Sequence, residues 1–487
     1  MPSHHRALRT PVVLALALAL GACAPSPSAS APASSSPSAA PAESAAAGAP
    51  RPIVITTDMG MDDLLAIYLL LREPSVDVRA ITVDGTGLVH CGPGLRNIRR
   101  ILDTFGRTDV PFACGRDTAG ADGVPFPDEW RAGADDMYGV VLPPVVGTDL
   151  PPEGATLLAD AIDGAPAPVT IVALGTWTVL EDLFATRPDL ASSIAGIHAM
   201  AGAIDVPGNV TGGGLIASDG VEWNVGADPS AVAAVLALDI PVALVPLDAT
   251  NDVPVPTDIV AQLTTDHAAA GADIALETYA RAPWLATPGN FWWDASAAAA
   301  LVDPSLLTWE DATISISDVG RIARDPAGRA ARIATGADGE RTHAAILAGL
   351  RRGAGREDPF TIGGTVRVTW DGTTCTIGPD VPTTAGPATI ELVNTSTVPA
   401  GLFGGGIAPG HTWDEAVAIM LAADLSDESF EVPDWIIQVE GEGPYAMPGS
   451  TASSLTTLPA PLVGFACGTG DWPEITFTDA GSIPLTE

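Results

Sequence analysis

From residue 52 to about residue 355, short apolar runs rich in Val and Ile alternate with longer stretches rich in Ala and Leu. The runs at 53–57, 78–83, 169–174, 194–201 and 241–246 are apolar almost without a break, the pattern of strands buried on both faces. Helix formers fill 64–71, 94–105, 155–162, 179–185 and 229–238 between them. Strands and helices in alternation predict an α/β domain over 52–355, an open, mainly parallel sheet with helices on both faces. Ligands of such sheets bind beyond the carboxyl ends of the strands, so chemistry is sought there. After residue 356 the texture changes. The stretches 365–370, 388–394, 430–440, 461–467 and 474–478 have period-two character and are split by Gly and Pro, with one helical stretch at 413–425. This predicts a small all-β sandwich over 360–487. A cupredoxin-like sandwich is one such form, but blue copper needs two His, a Cys and usually a Met. The segment holds one histidine, His411, and cysteines expected to be bridged, so the sandwich is read as copper-free and non-catalytic.

The first 22 residues carry Arg6 and Arg9 and then an apolar run from Pro11 to Leu20. That run is too short for a spanning helix, which needs about 20 apolar residues. It reads as a secretory signal. It ends in Leu20-Gly21-Ala22-Cys23, which resembles a bacterial lipobox. The resemblance implies cleavage before Cys23 and acylation of its thiol; an ordinary signal peptide with a chance cysteine is the alternative. Residues 23–51 are almost wholly Ala, Pro and Ser and read as an extended tether. The expected location is therefore outside the cytoplasm, on the outer face of a cell membrane, held by lipid and not by a spanning helix.

Composition narrows the chemistry. Among 487 residues, 59 acidic side chains face 22 basic ones, for a net charge of −37, and every basic residue is Arg. Without lysine there is no P-loop site, no Schiff base and no pyridoxal chemistry. The acidity argues against nucleic acid as partner. Beyond Cys23, four cysteines fall in two separated groups, and Cys91–Cys114 with Cys375–Cys467 is the economical pairing in an oxidising compartment. Free buried thiols are the other reading. No CxxC supports a zinc site.

The segment Thr57-Asp58-Met59-Gly60-Met61-Asp62-Asp63 places three carboxylates within six residues, between a predicted strand and a predicted helix. Unpaired they repel, so solvent or a cation must relieve them. Gly60 is expected to supply the sharp turn that lets them converge. Oxygen ligands favour Ca2+ or Mg2+ over softer metals. Helix capping accounts for Asp62 and Asp63 alone. A haloacid-dehalogenase-type phosphatase also ends its first strand in Asp, but it needs a second Asp where Gly60 stands and a lysine that this chain lacks.

Asp-x-Gly-x-Asp-Asp after a strand resembles the opening motif of the inosine–uridine nucleoside hydrolase family. The resemblance continues in order through 169–180, through 197–203 with Gly208-Asn209, through Glu222-Trp223-Asn224 ahead of Ala227-Asp228-Pro229, and to Phe291-Trp292-Trp293-Asp294. It covers about the first 300 residues of the predicted α/β domain and none of the sandwich. It implies Ca2+ held by Asp58, Asp63, Asp294 and the carbonyl of Leu174, with Asp58 also the catalytic base. Asp62, Asn209, Glu222 and Asn224 are implied to grip the ribose of a nucleoside. Where many members carry a histidine to protonate the leaving base, this chain has Trp293. The histidine loop after the third strand is also missing, and an asparagine expected after the second strand is replaced around residues 84–90, where His90 is a candidate substitute and a structural histidine beside the expected disulfide is the other reading. Trp284, Trp292, Trp293 and Tyr138 are candidates for stacking on a base. The implied reaction is Ca2+-assisted hydrolysis of an N-ribosyl bond. The alternatives are a Ca2+-dependent binding lipoprotein that never cuts and a docking protein built on the sandwich. A homo-oligomer is compatible with the sequence.

Overall fold

The computed structural model describes residues 49–120, 122–142, 153–422, 432–438, 443–470 and 475–486. Cys23, the signal segment and all but the last three residues of the tether lie outside them, as do 430–431, 439–440 and 474 of two predicted strands and 423–425 of the predicted helix. The run 51–57 becomes β1 (Arg51–Thr57), buried along its whole length after Arg51. Ile53 and Ile55 point into one core while Val54 points into the other, the two-residue alternation of a strand covered on both faces.

The other strands of this sheet are β2 (Val76–Val83), β3 (Phe112–Cys114), β4 (Val169–Ala173), β5 (Ile194–Met200), β6 (Val242–Val245), β7 (Leu307–Ile316), β8 (Ile322–Arg324) and β9 (Arg329–Ala337). Their order is β3-β2-β1-β4-β5-β6-β9-β7-β8. Everything from β3 to β9 in that order is parallel, while β7 runs antiparallel to β9 and β8. The chain builds outward from β1 in one direction and from β4 in the other. The crevice between β1 and β4 is thus the switch point of the sheet, where a ligand site is expected.

Helices cover both faces: α1 (Met61–Arg72), α2 (Cys91–Thr104), α3 (Asp128–Asp135), α4 (Gly154–Asp163), α5 (Thr178–Thr186), α6 (Trp223–Gly226) and α7 (Pro229–Leu236) in the first half. The second half adds α8 (Leu247–Thr250), α9 (Ile259–Thr264), α10 (Ala270–Arg281), α11 (Trp293–Val302) and α12 (Gly339–Leu350). Side chains of α1, α10, α11 and α12 fill the core beside Ile53 and Ile55, and those of α4, α5 and α7 fill the core beside Val54. Cys91 at the start of α2 is bonded to Cys114 at the end of β3, with Cα atoms 5.7 Å apart.

Beyond residue 360 two sheets face each other around a separate apolar core. One holds β10 (Thr365–Trp370), β11 (Cys375–Ile377), β12 (Gly386–Asn394) and β16 (Thr451–Leu458). The other holds β13 (Ala400–Ile407), β14 (Ile436–Gln438), β17 (Leu462–Thr469) and β18 (Thr476–Pro484), with the two-residue β15 (Tyr445–Ala446) pairing β13. Alternate residues of β10 and β12 point inward, as period two requires. Cys375 of the first sheet is bonded to Cys467 of the second. The helical stretch is α13 (Trp413–Ala422), whose Trp413 lies so close over Gly464 that a side chain there would overlap the ring. Among the described residues no helix is long and apolar enough to cross a membrane.

Candidate active site

Asp58 is the first residue after β1 and Leu174 the first after β4, so the two flank the switch point. The turn into α1 is made differently from the sequence expectation. Gly60 has φ −57°, which any residue adopts, whereas Met59 takes the left-handed φ of 57°. The Thr57 hydroxyl holds that strained turn by accepting from the Met59 amide (3.0 Å) and donating to Asp63 (2.5 Å). What Gly60 supplies is room, since a Cβ there would sit 3.0 Å from an Asp63 oxygen. Gly87 and Gly175 do the same for Asp58: a side chain on Gly87 would overlap the Asp58 Cβ, and one on Gly175 would come within 2.7 Å of its amide.

The acids of this turn meet one from the far end of the chain. Asp294 lies in the first turn of α11, and its amide donates to Asp62 Oδ2 (2.8 Å), so Asp62 caps α11 rather than its own helix. Asp62, Asp63 and Asp294 each bring a carboxylate oxygen within 4.8 Å of the other two. Asp58 adjoins this trio through Asp63 and accepts from the Leu88 amide (3.2 Å). Burial is the largest influence on all four and pushes each carboxyl up, Asp58 to about 6 and Asp63 and Asp294 well above the usual range. Mutual repulsion adds to burial at Asp63 and Asp294. Asp294 Oδ1 is buried with no hydrogen-bond partner. An all-oxygen set with an orphaned buried carboxylate oxygen fits a hard divalent cation, which would offset the repulsion and lower these pKa values again.

Next to this cluster stands a network of amides. The Asn224 side chain donates to the carbonyls of Leu174 (3.0 Å) and Met200 (3.1 Å), joining the ends of β4 and β5. The Leu174 carbonyl, expected to face a metal, thus accepts from an amide expected to face ribose. Glu222 caps α6 and accepts from the amides of Gly202, Asn224 and Val225. Burial raises its carboxyl to about 7, helped by the charge on Asp58. Asn209 accepts from the Trp223 amide (3.1 Å). Trp293 is half-buried, its indole N–H buried and without a partner. Trp292 is wholly buried and donates to the Tyr279 hydroxyl (2.6 Å), so it is core and offers no face to a ligand.

Sequence reasoning did not single out Asp84 as a site residue. It follows β2 directly, is 1% exposed, and leaves both carboxylate oxygens without a hydrogen-bond partner. Burial, then the charge of Asp58, raises its pKa well above normal. Its position one residue past an apolar strand was the available signal. The five described histidines are engaged elsewhere: His90 with Asp135, His198 with the Ala297 carbonyl, His267 with Asp273, His343 with Gln262 and His411 with Glu415.

A family model described as inosine-uridine preferring nucleoside hydrolase matches residues 53–344, ending before the sandwich. The pyrimidine-specific ribonucleoside hydrolase RihA of Citrobacter koseri is 34% identical over 206 residues, which are 41% of this chain and 61% of that protein. RihA of Photobacterium profundum is 33% identical over 207 residues, 41% and 62% of the two chains. The chain thus spans about three fifths of the length of these curated relatives. Among solved structures, the inosine-uridine preferring nucleoside hydrolase of Bacillus anthracis superposes with a TM-score of 0.53 at 24% identity, over 62% of this chain and 99% of that one. The purine-preferring ribonucleoside hydrolase of Gardnerella vaginalis gives 0.54 at 21% identity, over 62% and 98%. At these identities the likeness shows the shared fold.

Proposed function

Because the chain belongs to the inosine-uridine preferring nucleoside hydrolase family, we propose that it hydrolyses the N-glycosidic bond of ribonucleosides, releasing ribose and a free base, with Ca2+ at the strand-end carboxylates. The observation that carries this reading is the meeting of the buried Asp58, Asp63 and Asp294 with the half-buried Asp62, paired with no arginine among the described residues. Asp58, Asp63 and Asp294 are the side chains assigned to the ion, with the Leu174 carbonyl as a further ligand once Asn224 turns toward substrate. When bound, Ca2+ would supply a positive centre for the attacking water and the ribose diol.

The protein's own groups account for the rest. Asp58, whose carboxyl sits near 6 in the metal-free site, is ionised at neutral pH and is the carboxylate assigned to take the proton of the attacking water. Asp62, Asn209, Glu222 and Asn224 orient the ribose hydroxyls, fixing the anomeric carbon against that water. Positive charge developing on the sugar ring is favoured by the surrounding carboxylates. Trp293 forms the wall where many family members have a histidine. It can hold a base by its ring and N–H but cannot protonate it.

The test is reducing-sugar release from a panel of purine and pyrimidine nucleosides, with Asp58→Asn alongside. Release by the wild type and not by the variant supports the hydrolase. The engagement of all five described histidines elsewhere favours a second reading, a Ca2+-dependent nucleoside-binding protein that does not cut. Saturable nucleoside binding without sugar release would decide for it. We also place the protein outside the cytoplasm, lipid-anchored through Cys23, on the strength of the short apolar run and lipobox. Cys23→Ser should move it from the detergent phase to the aqueous phase; unchanged partition removes the anchor.

A further inference from the structure

We infer that Arg356, in the segment joining the α/β domain to the sandwich, is a positioning residue for the active site, holding the turn at 137–141 that carries Tyr138. Arg356 is 6% exposed on its side chain and pairs with both Asp273 and Glu277 of α10, which are 1% and 2% exposed. Its Nη2 lies 2.5 Å from Glu277 Oε2, and its Nη1 donates to the Val141 carbonyl (3.2 Å). The Val141 amide in turn donates to Glu277 Oε1 (3.1 Å), so one guanidinium and one carboxylate grip the two peptide units that flank a single residue. Arg281 also donates to Glu277 (2.8 Å), and its stem passes 3.5 Å from where a Gly139 side chain would begin.

The gripped turn cannot hold itself. Met137, Tyr138 and Gly139 all have positive φ, at 52°, 56° and 80°, and two of the three are residues that disfavour that region. Such a turn persists only when its surroundings fix it. Its purpose is read from where Tyr138 goes: its ring packs against the apolar cluster that holds Met59 and Met61, the residues interleaved with Asp58, Asp62 and Asp63. Tyr138 therefore backs the turn that carries the carboxylates. Behind it stands α10, which through the Tyr279 hydroxyl also holds Trp292, two residues before Asp294.

The same ion pairs tie in the sandwich. The Phe360 amide donates to both oxygens of Asp273 (3.1 and 2.9 Å), and the Phe360 ring is buried in the α/β core. Leu455 of β16 packs against that core as well. The C-terminal region thus reaches the active site through Arg356 and Glu277, and is more than a passive appendage. The planar fork of arginine suits this task because it bonds two carboxylates and a carbonyl at once.

The kinetic arm of the test rests on the hydrolase reading, and a second arm does not. In the full-length chain, Arg356→Gln should raise KM for uridine or inosine by about tenfold or more while changing kcat much less, and Arg356→Lys should recover part of the loss. In a Tyr138→Ala background the same change should add nothing to KM. Independently of turnover, hydrogen exchange at 137–142 should quicken in Arg356→Gln while β1 and β4 stay protected. Should Arg356→Gln fail to fold, Val141→Pro removes only the amide that Glu277 accepts. Val141 is 64% exposed, and Val140 already has the φ −63° and ψ 126° suited to precede proline. KM losses that multiply across the double variant, or unchanged exchange at 137–142, overturn the inference. Absence of turnover in the wild type counts against the hydrolase alone, and the exchange arm still decides.

Discussion

Asp273 and Glu277 are buried as deeply as Asp63 and Asp294, in the same domain and beside the same apolar core. The first two accept from Arg356, Arg281, His267 and the Phe360 amide. For the second two no ion pair to an arginine is found among the described residues, and one oxygen of Asp294 has no partner. A buried carboxylate costs several kcal/mol unless something offsets it. Where arginine does so, acids hold the fold together. Where no described residue does so, at a strand end and a sheet switch point, the proposed function assigns them to a ligand that carries positive charge.

Breaking each cluster should therefore have opposite signatures. Asp58→Asn should reduce sugar release by roughly 10²–10⁴-fold, the usual contribution of a general base, without lowering stability in chelator. Arg356→Met should strip the shared cation from two buried acids, leaving Glu277 with Arg281 and Asp273 with His267 and the Phe360 amide, and cost up to about 3–5 kcal/mol in urea unfolding. Asp294→Asn, measured without metal, should instead stabilise by about 1–3 kcal/mol, since it relieves an orphaned charge. Equal signs for these last two would erase the distinction between the clusters.

A pH titration sharpens it further. Burial beside the Ala297 carbonyl lowers His198 from 6.5 to about 4. The unfolded chain takes up that proton first as pH falls, so stability is complete above about 6.5 and declines down to about 4. The loss is about 3 kcal/mol and should vanish in His198→Gln. The strand-end cluster responds in another observable. Protons compete with a cation for Asp58, whose carboxyl sits near 6, and for Asp63 and Asp294, which burial also raises, so Ca2+ affinity should fall at least about tenfold between pH 7 and pH 5. Affinity that stays flat over that range would place the cation elsewhere.

Much of the sheet is legible in the sequence because its central strands are buried on both faces, which leaves nearly unbroken apolar runs at 53–57, 169–174 and 194–201. The edge is not. β7 carries Thr308, Glu310 and Asp311, and β9 reads Arg-Ala-Ala-Arg-Ile-Ala, a composition that resembles helix and becomes strand only through pairing with β7. β3 has three residues, too few for a period to register. Within the site, the acids at 58–63 are visible because they are adjacent in sequence. Asp294 was found by resemblance to a motif, and Asp84 was passed over because one acid after a strand, with no second acid beside it, is a weak signal. The pairing of Arg356 with Asp273 and Glu277 joins residues 83 and 79 positions apart, a relation that only the fold creates.

The most direct measurement is calorimetric titration of Ca2+ into the chelator-treated full-length protein and its Asp294→Asn variant. One saturable site in the wild type, weakened more than about tenfold in the variant, is the expected result for carboxylates held ready for a cation. No binding by the folded wild type, or equal affinity in both proteins, would contradict the assignment of the Asp58, Asp63 and Asp294 cluster as the metal centre of a nucleoside hydrolase.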